Sequence, residues 1–313
     1  MAEEKEQIQA APVNADIEGF LLASEVLEID FLFGLTEYFR YLEDMRLLEM
    51  GVKFKDLGIS TRRHSGNPSL IVPNSAAPGT FSFVDRFSLN DPESEIQAGS
   101  IALLKLQGVM RSQSGMSAPG VDRLINDLRA AYGNDRIQGV IIETNSGGGE
   151  SLSGTMLKSA IQERNKPVIG FGHLVASAAY RALSGADEII ASGGGAEFGS
   201  IGTMVTIDQK ILNKYRERFA DFYGAGAPGK NEDFRAAIAG DFSRIQNKVD
   251  RLTAAFQKEI AKERNLQGGI ETVKETLNGS VFAAEDAKKR GLVDMVGNMQ
   301  TAVKRIKALR GKY

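Results

Sequence analysis

From residue 96 onward, short apolar runs alternate with amphipathic segments. SIALLKLQGVM predicts a strand, GVDRLINDLRAAYG a helix, and QGVIIETN a short buried strand that ends in glycines. The pattern continues with SLSGTMLKSAIQERN as helix, KPVIGFGH as strand, VASAAYRALSG as helix, and DEIIAS and TMVTI as strands. Strands alternating with helices of roughly 10 to 15 residues indicate βαβ units, and so an α/β fold with a parallel sheet and helices on its faces. Further on, Ile245, Val249, Leu252, Phe256 and Ile260 follow one another at intervals of three and four, which makes one long amphipathic helix. No repeat of solenoid period is present.

Residues 1–95 have a different texture and are expected to form an N-terminal extension. The first 15 or so bury too little to fold. Between Ile17 and Met50 the apolar residues, among them Leu35, Phe39, Leu42, Leu47 and Leu48, recur at helical spacing and predict two helices broken near Gly34. Between Asp56 and Gln97 the chain is rich in Pro, Ser, Asn and Gly, with SLIVP and TFSFV as isolated strands. The second domain then runs from 96 to 313.

Composition narrows the chemistry. With 313 residues, 42% of them apolar, the chain can bury a substantial core. Lys and Arg number 38 against 40 Asp and Glu, a net charge of −2, so no overall field draws it to nucleic acid or acidic lipid. The basic end KRIKALRGKY suits a solvated helix terminus. There is no cysteine, which removes thiol catalysis, disulfides and cysteine-ligated zinc, and two histidines, His64 and His173, are too few for a His-rich metal site. GFLLASEVLEIDFLFGL is interrupted by Glu25, Glu28 and Asp30 and falls short of the ~18 apolar residues of a membrane helix. The acidic N-terminus lacks the pattern of a secretory signal. A cytoplasmic protein without a stable membrane anchor is expected, with no cofactor.

Functional groups of a parallel sheet gather at the carboxyl ends of its strands. Gly147, Gly148 and Gly149 fall there, between a strand and a helix, and so does Ser177, at the opening of the next helix. A serine beside free N–H groups suits acyl transfer, in which a hydroxyl attacks a carbonyl and the new oxyanion needs donors. Other readings compete. A glycine run after a strand can bind phosphate, but neither GxGxxG nor GxxxxGK[ST] is present. A serine at a helix start is commonly a cap. Val175 and Ala179 flank Ser177 where a G-x-S-x-G elbow needs glycines. As base, His173 would have to fold back within one turn. A lysine would need its pKa lowered from ~10.4 to about 7 or 8, roughly 4 kcal/mol, and so a well-shielded site. Lys230 lies in the loop AGAPGKNED, whose small residues let backbone wrap closely; by composition alone that loop is a flexible link.

Taken in order, NSGGGES, VASAAYRA, EFGSIGTM and SVFAAEDAKKRGLVD resemble the S49 family of serine peptidases, the signal peptide peptidase A group with its phage relatives, over roughly residues 96 to 300. The resemblance implies a ClpP/crotonase-like core. It implies Ser177 as nucleophile, with Tyr180 in its A-S-x-x-Y context, and Lys230 as base. It implies oxyanion donors at Gly149, in the turn Ser146–Gly149, and at Ala178, in the turn that opens the next helix, and a supporting role for Ser200 in the segment Gly199–Gly202. Gly147 stands where the family usually has proline, which loosens the turn but removes no donor.

The expected activity is an ATP-independent Ser-Lys endopeptidase acting on peptide in extended conformation, with no metal, as a homo-oligomer in which Lys230 serves its own or a neighbouring subunit. A phage or prophage role in capsid or scaffold maturation is favoured over signal-peptide degradation. A crotonase-like acyl-CoA enzyme would need neither Ser177 nor Lys230, and an inactive scaffold would act through its N-terminal helices.

Overall fold

The computed structural model describes residues 68–74, 80–84, 96–114, 119–266 and 270–313. The expected disordered lead and the two helices between Ile17 and Met50 lie outside them. The described residues fall into two compact units, 205–247 in one and the remainder in the other.

In the larger unit the elements are β1 (Ser69–Pro73), β2 (Phe81–Val84), β3 (Ser100–Met110), α1 (Val121–Gly133), β4 (Ile137–Gly149), α2 (Ser151–Gln162), β5 (Val168–Ala176) and α3 (Ala178–Leu183). After these come β6 (Glu188–Ala191) and β7 (Glu197–Gly199). The smaller unit holds α4 (Gln209–Arg218) and α5 (Glu232–Ile238), and α6 (Ser243–Glu263) re-enters the larger one. The chain ends through α7 (Ile270–Thr276), β8 (Val281–Ala283), α8 (Ala284–Lys289), β9 (Met295–Val296) and α9 (Met299–Leu309).

Among the described residues nine strands form one sheet in the order β2-β1-β3-β4-β5-β6-β9, with β7 continuing along β5 and pairing β8. The run from β3 through β9 is parallel, each strand reached through a helix, as the alternation predicts. The two faces bury different sets. Ala102, Leu104, Val140, Ile142 and Val168 pack under α1, α2 and α3, together with Phe256 and Ile260 of α6. Ile101, Leu103, Ile141, Ile169 and Ile190 pack under Val303 and Ile306 of α9. This period-two split is why the central strands read as continuous apolar runs: both faces are covered.

Three expectations need correction. SLIVP and TFSFV are not isolated, because β1 pairs antiparallel with both β2 and β3 and so extends the core sheet. TMVTI is not a strand: Thr203–Ile207 is irregular, with Met204 and Val205 exposed and no strand paired to it among the described residues. The strand in that region is EFG, β7. Finally, VASAAYRALSG does not start a helix at Val175, since β5 runs to Ala176 and α3 begins only after Ser177.

At the amino end of the β4–β5 pair, Lys166 is buried and its Nζ donates to the carbonyls of Ala131 (2.8 Å), Asn134 (2.9 Å) and Ile137 (3.1 Å). One ammonium thereby satisfies the end of α1 and the start of β4. Burial holds its pKa below the usual lysine value, with Asp135 opposing.

Candidate active site

Ser177 occupies the single residue between β5 and α3, with φ 52° and ψ −123°. A non-glycine residue at positive φ costs of order 1–3 kcal/mol and persists only where its surroundings over-determine it. They do so here. Its N–H donates to the Gly199 carbonyl at 2.9 Å, and its own carbonyl accepts from Arg181 N at 3.0 Å. The alanines around it are there for space. Ala176, Ala178 and Ala179 are buried, and α3 packs closely on both α2 and the end of β4. A Cβ at Gly148 would lie 2.8 Å from the Ser177 Cβ and 2.9 Å from the Ala178 nitrogen, so only glycine admits this approach.

A cavity of about 300 Å³ opens at this junction, lined among others by Ser177, Gly149, Ala178, Ser200, Ile201 and Phe256. Four of the five residues singled out in the sequence therefore share one space. Ala178 is the first helical residue, so its N–H has no acceptor within the helix. Gly149 is pressed against β3: a Cβ there would sit 2.1 Å from the Met110 carbonyl oxygen. The turn is pinned on both sides. Ser146 Oγ donates to the Gly108 carbonyl (2.6 Å) and accepts from Gly148 N (3.1 Å), Glu150 N donates to the Met110 carbonyl (2.9 Å), and the Glu150 carboxylate accepts from Ser112 N (2.6 Å). Gly147 is not among the residues at positive φ, so nothing in its backbone conformation demands glycine. Ser200 also sits at positive φ (53°), nearly buried, with its N–H on the Ser280 carbonyl at 2.8 Å.

Lys230, the fifth residue, belongs to the smaller unit. It is exposed in the turn before α5, where its N–H donates to the Ala227 carbonyl at 3.2 Å.

The structure adds residues that sequence reasoning passed over. Arg181, one turn into α3, lines the cavity. Its Nη1 donates to Ser151 Oγ (2.6 Å), its Nε lies 3.3 Å from Glu259 Oε2, and its guanidinium stacks 4.0 Å from the centre of the Phe256 ring. Lys158 Nζ bridges Glu259 and Glu263 of α6, each at 2.8 Å. The hydrogen bond from Lys158 holds the Glu263 carboxyl below its usual pKa, against a smaller effect of burial. This network clamps α6 to α2 and α3 and so fixes Phe256, Thr253 and Gln257 on the cavity wall. Position in sequence hinted at Arg181 alone. Tyr180 is fully buried, with its hydroxyl donating to the Leu292 carbonyl at 2.7 Å and its pKa raised by burial, which makes it a packing residue.

His173 does not share the cavity. On β5 it falls on the α9 face, with Nδ1 2.6 Å from Ser192 Oγ and Nε2 3.8 Å from Glu143 Oε1. Among the described residues no cluster of three His, Cys, Asp or Glu could hold a metal ion, and no helix is long and apolar enough to cross a membrane.

Comparison with known proteins bears on this geometry. The model of peptidase family S49 matches residues 236–312. A protein of Methanocaldococcus jannaschii provisionally named a protease is 29% identical over 59% of this chain and 60% of its own length. Protease 4 of Haemophilus influenzae is 27% identical over 67% of this chain and 34% of its own. The chain thus spans less than two thirds of either relative. Among solved structures, a membrane-bound stomatin-specific protease aligns with TM-score 0.46 and 16% identity over 67% of this chain and 84% of that one. ClpP1 of Listeria monocytogenes aligns with TM-score 0.42 and 13% identity over 64% and 94%.

Proposed function

We propose that this chain belongs to peptidase family S49, whose model matches residues 236–312, and that it is an ATP-independent serine endopeptidase with Ser177 as nucleophile and Lys230 as base. Ser177 Oγ attacks the peptide carbonyl and its proton passes to the neutral Lys230 amine. The N–H groups of Gly149 and Ala178 stabilise the oxyanion, and Ser200 orients the lysine. The C–N bond then breaks as the leaving amine takes the proton from Lys230. Water, deprotonated by the same lysine, releases the acyl group and restores the serine. The substrate is peptide in extended conformation, the assembly a homo-oligomer, and the role phage-type processing of capsid or scaffold protein, with degradation of signal peptides as the alternative.

The observation that carries this reading is the strained Ser177 on the wall of a cavity it shares with Gly149 and Ala178. Strain held by a backbone hydrogen bond on either side suits a hydroxyl that must be aimed. A cap needs no such geometry, and Ser177 makes no side-chain capping hydrogen bond.

The test is fluorophosphonate labelling, read by peptide mass spectrometry, together with peptidase assays. Ser177→Ala is expected to lose the adduct at that position and to cut kcat/KM by about 10⁴-fold or more. Lys230→Ala is expected to cut it by ~10²- to 10⁴-fold and to slow labelling of Ser177. An unreactive Ser177, or a Lys230→Ala chain of full activity, sinks the dyad.

A further inference from the structure

Ser192, His173 and Glu143 form a second constellation, on the opposite face of the sheet from α1, α2 and α3. Ile141 on β4, Ile169 and Phe171 on β5 and Ile190 on β6 share the α9 face, Glu143 follows Ile141 at the next position of that face, and His173, where β5 slips register against β4, meets Ser192 directly after β6. The first residue of each run is covered by α9, whereas His173, at the carboxyl ends of the strands, stays half-exposed beyond it. Ser192 Oγ lies 2.6 Å from His173 Nδ1, a hydrogen bond, and His173 Nε2 lies 3.8 Å from Glu143 Oε1. Phe171 holds the imidazole edge-on, with ring centres 5.8 Å apart. Directly after the serine come Gly193, Gly194 and Gly195. Their N–H groups donate to no acceptor among the described residues, and nothing stands within 4 Å of a Cβ placed on any of them.

A hydroxyl hydrogen-bonded to an imidazole, a carboxylate 3.8 Å from the far ring nitrogen, and free amides beside the hydroxyl resemble the parts that acyl transfer requires. We propose that Ser192, His173 and Glu143 constitute a second acyl-transfer site, for small activated acyl esters. With Nε2 protonated toward Glu143, Nδ1 is the free base. Ser192 Oγ attacks the acyl carbonyl, its proton moves to Nδ1, and the glycine amides face the oxyanion. The bond to the aryl or alkyl oxygen breaks as that oxygen takes the proton. Water then attacks the acyl-serine, gives its proton to Nδ1, and the acid leaves while Ser192 is reprotonated. The site is open, so it has little to grip a long peptide with; reactivity must come from the leaving group, hence the ester class. Nothing in this depends on Ser177 or Lys230.

The experiment uses the full chain carrying Ser177→Ala, with p-nitrophenyl acetate as probe. Mass spectrometry is expected to find the acetyl group on Ser192, a readout that needs no further variant. Adding Ser192→Ala or His173→Gln is expected to lower ester hydrolysis roughly tenfold, below the ~10²-fold a shielded base supplies because this pair is exposed. Glu143→Gln should give a smaller loss in the same direction, with circular dichroism unchanged throughout. Acetylation confined to lysines or the N-terminus overturns the proposal. So does a rate that ignores Ser192→Ala, including one that falls with His173→Gln alone, which marks an imidazole acting by itself. A silent Ser192 leaves the Ser177 reading untouched, and an inert Ser177 leaves this one untouched.

Discussion

The two ends of the β4–β5 pair are finished in opposite ways. At the amino end buried polar groups are paired: Lys166 reaches in and serves three carbonyls at once, and Asp187 accepts from Val168 N at 2.9 Å. At the carboxyl end conformational cost is retained. Ser177 and Ser200 sit at positive φ, Gly148 and Gly149 make contacts that no larger residue tolerates, and the N–H of Ala178 has no helical acceptor beside a cavity. Same strands, same core, yet one end is built for stability and the other is set up to act on something. Substitutions at the two ends should therefore separate activity from stability.

Gly149→Ala makes the sharpest cut at the carboxyl end. Its Cβ would fall 2.1 Å from a backbone oxygen of β3, so the turn must move and carry a proposed oxyanion donor with it. Loss of one such donor costs ~10²- to 10³-fold in kcat, and that is the expected effect on peptidase activity. The melting temperature should fall far less than proportionately, because the disturbance is confined to the rim of the sheet. A variant that unfolds while its folded fraction keeps full kcat would erase the distinction between the ends.

At the amino end the prediction reverses. Lys166→Met keeps the apolar stem and removes the ammonium, leaving three carbonyls of α1 and β4 without their donor. Stranding buried acceptors costs about 1–3 kcal/mol, to be read as a lower urea midpoint. The activity per folded molecule should not change. A drop in kcat at constant stability would show the two ends to be coupled.

How much of this was legible follows from where each signal lives. The strands β3, β4 and β5 announced themselves because both faces are buried and their apolar runs are unbroken. Their ends were less clear. β4 continues through Gly149 because glycines can extend as well as turn, and the start of α3 was read three residues early because nothing in VASAA marks a strand ending at Ala176. TMVTI failed because β-rich composition makes no strand without a partner, and among the described residues none pairs with it. β7 was missed because three residues carry no periodicity. Ser177 and Gly149 stood out by their place at strand ends, Ala178 and Ser200 by motif resemblance, and the cavity brings all four together. Arg181 was visible beside the serine, but its partners Glu259 and Phe256 belong to a helix far along the chain, and no local pattern records that pairing.

That same pairing supplies the smallest and most delicate test. The network of Lys158, Glu259, Glu263 and Arg181 reaches the cavity through Arg181 yet is held by ion pairs to α6, so it should behave like the amino end and act on stability. Its handle is Glu263, whose pKa is lowered from 4.5 chiefly by the Lys158 hydrogen bond. A carboxyl that is more acidic in the fold than in the unfolded chain binds fewer protons when native, so its contribution is present above pH 4.5 and is lost as pH falls through the depressed folded value. Lys158→Met removes the cause. The difference in urea midpoint between the parent and this variant should therefore shrink as pH is lowered from about 6 to about 3. With Glu263 partly open to solvent, the difference at neutral pH attributable to that pair should be under about 1 kcal/mol. A difference that instead stayed constant across that range would mean Lys158 contributes through its packed stem, and the clamp on α6 would then be hydrophobic, with Phe256 and Ile260 holding the cavity wall in place unaided.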